Sequence, residues 1–150
     1  MLSSTRSIIN YYWSWRRYLE TQLSASYKLY YNPVGLPKPA GTVDSWLIFL
    51  TGEIDPQLFT RTKSQIFCVA RDDERDENMM QIISDTVAKL DNLPTGKRSI
   101  VLYDKSTATG VGTIWVERLM VRQKQPYSTG VSSTLIDVYT RTKTARNAYA

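Results

Sequence analysis

Five of the six residues from Asp72 to Glu77 are acidic, in the stretch CVARDDERDENMMQIISDTVAKLDNL (68–93), the densest group of possible metal ligands or acid–base residues in the chain. A calcium loop needs oxygen ligands at alternating positions, a glycine for its turn and a distal bidentate glutamate. DDERDENMMQII has no glycine and runs straight into Met79, Ile82, Ile83, Val87 and Leu90, which recur at helical spacing. The pattern predicts a helix over 75–92 with the acids at its start. There, unpaired backbone N–H groups and the positive end of the dipole favour negative side chains. Asp72 or Asp73 is the expected cap and Asp76 or Glu77 its box-like partner, with Lys89 near the other end. Arg71 and Arg75 are expected to neutralise part of the cluster.

The remaining candidates for chemistry are thin. The chain has no histidine, which removes the commonest general base and the nitrogen ligand of most zinc sites. Its single cysteine, Cys68, excludes an intramolecular disulfide and sits in an apolar strand, where it reads as a small buried hydrophobe. GVGTIW (110–115) lacks the Lys-Ser/Thr of a phosphate loop and opens a strand instead of a helix. Asp104, Lys105 and Glu117 are the imaginable set for a metal-dependent nuclease, yet VERLM lacks a carboxylate-x-lysine spacing. The expectation is a protein that is not an enzyme, with no catalytic residue, metal site or cofactor.

Binding is better supported. The net charge is +5, and the last fifty residues hold seven basic and three acidic groups. Arg118, Arg122, Lys124, Arg141, Lys143 and Arg146 lie on or beyond the final hairpin, with Tyr127 and Tyr139 available for stacking. Such a sheet binds a single strand through phosphates and aromatic faces, although the regular aromatic pair of an RNA-recognition sheet is missing. A monomeric basic nucleic-acid-binding domain is therefore one reading.

The elements that position these residues follow from periodicity. With 150 residues the chain is expected to form one domain, 1–150. Ile8, Tyr12, Trp15, Leu19 and Leu23 share one stripe of a helix over 5–27, capped by Ser3, Ser4 or Thr5. Ile9 and Trp13 lie off that stripe beside Arg16 and Arg17, so either a neighbouring loop or another subunit covers the tryptophan. Residues 28–43, rich in proline, form an extended arm that crosses the surface or reaches a partner. The α/β core spans 44–142. SWLIFLTGE (45–53) is a strand buried on both faces, and 60–71 is a second strand with Phe67 and Val69 opposite Ile66, Cys68 and Ala70. SIVLYD (99–104) and the strand 110–124 follow. The latter has a bulge expected near 117–119, with Ile114, Val116 and Arg118 opposite Trp115, Glu117 and Leu119. QPYSTG is read as a turn into 131–142, where Leu135, Asp137 and Tyr139 oppose Ile136, Val138 and Thr140. Residues 143–150 are expected to form a mobile tail. The fold class is thus α/β (α+β): a mostly antiparallel sheet of about five strands flanked by two helices, with a long C-terminal hairpin. No apolar run approaches the ~18 to 20 residues of a membrane span, and the N-terminus lacks a signal-peptide pattern, so cytoplasmic synthesis is expected.

The strand SQIFCVARD leading into the helix NMMQIISDTVAKL, then RSIVLYD and the hairpin TIWVERLMVRQK…SSTLIDVYTRT, resembles the tail-terminator and related neck (head–tail joining) proteins of tailed bacteriophages. The resemblance covers about residues 5 to 142. It implies a structural virion protein, assembled in the host cytoplasm as a hexameric ring. Such a ring closes the tail tube or joins it to the head connector, and DNA passes through it only as cargo. Neighbouring tail-tube and connector proteins would be partners, and no membrane is involved. Heterologous ring interfaces would bury Ile9, Trp13, Arg16 and Arg17, with Arg122, Lys124 and Tyr127 of the basic hairpin gripping adjacent rings. Pro33, Leu36, Pro37 and Pro39 would provide arm contacts. A collar or gateway ring bound to the portal side is the alternative within the same setting.

Overall fold

The computed structural model describes residues 4–55, 60–71, 75–91 and 99–144. Two helices, α1 (Ser4–Leu23) and α2 (Glu77–Asp91), accompany seven strands: β1 (Lys28–Tyr31), β2 (Ser45–Asp55), β3 (Thr60–Arg71), β4 (Ser99–Tyr103), β5 (Gly110–Val121), β6 (Gln125–Ser128) and β7 (Val131–Thr144). The strands form one curled mixed sheet in the order β1-β2-β3-β7-β5-β4, and β6 pairs with β7 in line with β5. The fold is α+β. The sheet is larger than the five strands expected and is not uniformly antiparallel, because β1 runs parallel to β2.

Both additional strands come from segments read as irregular. The first helix stops at Leu23, four residues early, where Ser26 and Tyr27 donate their N–H groups to the Leu23 carbonyl. Lys28–Tyr31 is then aromatic-rich and pairs with Trp46–Phe49, so the pleated surface of β2 overrides the extended-arm expectation. Gln125–Ser128, read as part of a turn, pairs with Val131–Ser133 and wraps a two-residue turn at Thr129 and Gly130. By contrast, Thr60–Arg71 has the expected bounds and pairs without a register break along β7.

Both helices pack on one face of the sheet, here called inner. Tyr11, Trp15, Leu19 and Leu23 of α1 and Met79, Ile82 and Leu90 of α2 meet Leu47, Phe49, Ile66, Cys68, Ile114, Ile136 and Val138. Trp15 stacks on Phe49 with ring centroids 5.6 Å apart. Ile8, on the expected stripe, is 41 % exposed, and Tyr11 takes the core place instead. Tyr11 directs its hydroxyl to Ser64 and Thr140 at 2.8 and 2.9 Å. Burial raises the Tyr11 pKa, more than these two bonds lower it.

Two bulges set which side chains reach which face. In β2 the register slips between Leu50 and Glu53. A Cβ added to Gly52 there would lie 1.5 Å from the Lys63 carbonyl oxygen, so only glycine fits. In β5 the slip falls between Val116 and Arg118, close to where it was expected. Its effect corrects the facing: the extra residue turns Arg118 to the outer face, and Leu119 joins the inner core.

The acidic run starts a helix, two residues later than expected. The Asp76 carbonyl accepts from Met80 N–H at 2.8 Å and its carboxylate binds Lys124 Nζ at 2.7 Å. Asp72 and Asp73 lie outside the described residues. Arg71 turns to the Pro39 and Val43 carbonyls, at 2.7 and 3.3 Å, and stacks over Trp46.

Candidate interaction surfaces

Among the described residues no helix covers the outer face of the sheet, and its two ends differ. At the end where β2 begins and β3 finishes, Trp46, Ile48, Val69 and Val131 form a second small core. The proline-rich connection crosses over it. Tyr127 donates its hydroxyl to the Pro37 carbonyl and meets Trp46 edge-on at 5.9 Å, while Pro39 is buried beneath the Arg71 contact. Pro37 and Pro39 are therefore tied to the chain's own sheet. Pro33 is half-buried, whereas Val34 is fully exposed and Leu36 is 70 % exposed. The tip that carries these two rises between Asn32, which bonds Thr51 through both side-chain atoms (3.1 and 2.9 Å), and Pro37. Gly35 turns it with φ 78°.

At the other end no described segment crosses the face. Unbroken β3–β7 pairing aligns Arg61 with Arg141 and Lys63 with Tyr139, and β5 adds Trp115 beside Arg141 and Arg118 beside Tyr139. Arg118 and Lys63 lie over the Tyr139 ring at 4.6 and 5.8 Å, and Arg141 lies 5.4 Å from the Trp115 ring. Lys143, two residues beyond Arg141 on the same strand, is exposed. Arg146 lies outside the described residues.

Asp137 sits between the two ends. It is 0 % exposed although on the outer face, and it accepts from Arg122 Nε at 2.5 Å and Gln65 Nε2 at 3.3 Å, with Lys63 Nζ 3.8 Å away. The hydrogen bond to this carboxylate, and then its charge, raise the Arg122 pKa. A buried carboxylate needs such partners, because desolvation otherwise favours the neutral form. The alternation of Leu135, Asp137 and Tyr139 placed Asp137 on this face, but nothing local in the sequence marked its burial. Beside it a groove of about 380 Å³ is lined by Phe67, Met120, Leu135 and Ser133, with Arg122 at its edge.

The margin formed by α1 and β4 carries a different surface. Trp13 meets Tyr103 edge-on at 6.1 Å, and Arg17 lies 4.1 Å from the Tyr103 ring and 5.5 Å from Trp13. Trp13 is thus half-covered by its own chain. A groove of about 290 Å³ runs between α1 and β4, bounded by Arg17, Tyr18, Val101 and Tyr103. Ile9 and Val101 are exposed, at 41 % and 47 %. Arg16 points the other way, over Tyr31 of β1 at 5.0 Å, so the expected group of Ile9, Trp13, Arg16 and Arg17 is split across the helix.

The imagined nuclease set is not brought together. Asp104 is buried at the β4–β5 turn, where it accepts from Ser106 N–H at 2.8 Å, and the neighbouring Lys105 is exposed. Glu117 lies seven residues along β5 from Gly110, the partner of Tyr103, which at strand rise is ~24 Å. Among the described residues no three Cys, Asp or Glu side chains are grouped as a metal ion would need. Burial pushes the Cys68 thiol up to about 12, with only a long contact to Thr86 at 4.0 Å opposing it, so the thiolate a nucleophile needs is suppressed. In comparison with known proteins, the chain matches no family model and has no significant match among curated sequences.

Proposed function

We propose that this protein is a structural virion component, a ring-forming tail terminator or neck protein that joins a phage tail to the head connector and leaves a passage for DNA. The supporting observation is the unlike character of the two sheet margins. The α1/β4 margin presents a groove and an arginine–aromatic cluster, and the apolar tip of Val34 and Leu36 springs from the β1 margin. Six strands at ~4.8 Å spacing put roughly 24 Å of contour along the curled sheet between these margins. Unlike surfaces on opposite sides suit heterologous, head-to-tail contacts, which close into rings. The element order, helix, strands, helix and a long final hairpin, is the one on which the phage resemblance rests.

Native mass spectrometry over a concentration series tests the reading. Self-association towards a hexamer is expected, and Leu36→Asp or Trp13→Ala should shift it towards monomer without loss of fold. A protein that stays monomeric at every concentration, with both variants indistinguishable from the parent, overturns head-to-tail assembly.

A further inference from the structure

We infer that the open end of the outer sheet face is a binding site for single-stranded nucleic acid. Arg61 and Lys63 on β3, Arg141 and Lys143 on β7, Arg118 on β5 and Arg122 just beyond it bring six cations together, among the acids Asp137 and Glu117 and with Glu53 and Asp55 of β2 in register beside Lys63 and Arg61. Alternate residues of a strand stand ~6.8 Å apart and neighbouring strands ~4.8 Å, so the cations form a track about 10 Å wide. That width suits one sugar–phosphate backbone and is narrower than a duplex.

Two observations favour nucleic acid over an acidic protein segment. Trp115 and Tyr139 lie within the track, half-exposed, each beside a guanidinium plane on which a base can also stack. The track then runs past Arg122 into the groove floored by Phe67, Leu135 and Met120, an apolar recess for bases that carboxylates would not use. Asp137 has a positioning role. It holds Arg122 at the groove edge and keeps Lys63 near Tyr139, so the cations are arranged before any ligand arrives. The site is independent of ring formation, since every residue named belongs to one subunit.

The test is fluorescence anisotropy with a labelled oligothymidine of about 20 bases, longer than the ~4–16 nucleotides one small domain covers. Four to six phosphate contacts predict a log K against log salt slope of about −3 to −4, at ~0.7 per phosphate on a single strand. Replacing the exposed Arg61, Arg118 and Lys143 together by alanine should weaken binding at least ~10-fold and make the slope shallower by about 2. Binding should quench tryptophan fluorescence in the parent, and Trp115→Phe should remove most of the quench. No binding by the parent at ~50 mM salt overturns the proposal. So does a polyglutamate of matched charge that displaces the oligonucleotide at equal concentration, which would make the face a dock for acidic protein. A duplex that binds more tightly than the single strand, without quenching, also overturns it. Because the parent's salt slope and quench are read directly, the proposal can fail even where the triple variant does not fold. A hexamer that ignores the oligonucleotide rejects this site alone, and a monomer that binds it rejects only the ring.

Discussion

The two ends of the outer sheet face are built on the same three strands, β2, β3 and β7, yet one is closed by the chain itself and the other is not crossed by any described segment. At the closed end the outward positions are Trp46 and Val69, and a proline-rich connection lies across them. At the open end the equivalent positions are Arg61, Lys63, Tyr139 and Arg141, with Glu53 and Asp55 of β2 in register beside Lys63 and Arg61, and no segment of the described chain crosses them. Apolar side chains draw a cover because water is a poor solvent for them, whereas exposed guanidinium groups keep their hydration and repel a cover without acids. Asp137 marks the boundary: its charge is tolerable in the interior only because Arg122, Gln65 and Lys63 converge on it.

The contrast predicts that substitutions at the closed end cost folding stability and those at the open end cost binding. Trp46→Ala should have the largest effect, about 3–5 kcal/mol by urea denaturation, because a fully buried ring leaves a cavity under the connection. A loss below ~1 kcal/mol would mean that the connection does not seal this end. Gly52→Ala comes next. The clash with the Lys63 backbone must displace the β2 bulge that supports both ends, and about 3 kcal/mol is expected, with broadened amide signals along β2–β3.

Alkaline pH should weaken the inner core before either outer end. The Cys68 value rises from 9.0 to about 12 in the folded chain, so the unfolded chain loses its proton first. Stability from this group is complete below pH 9 and falls by about 1.4 kcal/mol per unit above it, until the folded thiol also ionises. In Cys68→Ala the decline should begin nearer pH 10, where the tyrosines raised by burial, Tyr11 and Tyr27, start to contribute. Equal pH slopes between 9 and 10 for both proteins would contradict the buried thiol. A thiol reagent should label native Cys68 only on unfolding. Smallest of all, Leu36→Asp should change stability by less than ~0.5 kcal/mol, since the side chain touches little of its own chain. A larger loss would show that the tip packs on the molecule and is not offered outward.

Much of the layout could be read from residue order alone. Period-two alternation in 60–71 and 131–142 placed Ile66, Cys68, Ile136 and Val138 opposite Phe67, Leu135 and Tyr139, and the faces are those found. The helical period of Met79, Ile82 and Leu90 likewise settled that the acidic run begins a helix. These are local matters, because each backbone period commits a side chain to a face before any partner arrives. Lys28–Tyr31 and Gln125–Ser128 were not legible in the same way. Both are four residues long, and they become strands because β2 and β7 offer free edges beside them. The β5 bulge was visible as excess length, but which side chains it would turn outward depended on the partner register.

The sequence by itself determined the alternating faces, the helix periods, the excess of basic groups towards the C-terminus and the lack of histidine, all properties of residue identity and order. Only the tertiary structure decided that Arg71 reaches the proline-rich connection, that Arg16 and Arg17 point to opposite margins, and that Asp137 is enclosed by Lys63 and Gln65 of β3 and by Arg122 just beyond β5. The physical reason is range. Backbone geometry acts over one turn or one pleat, whereas the destination of a charged side chain depends on which distant carbonyl, ring or carboxylate folding brings within reach.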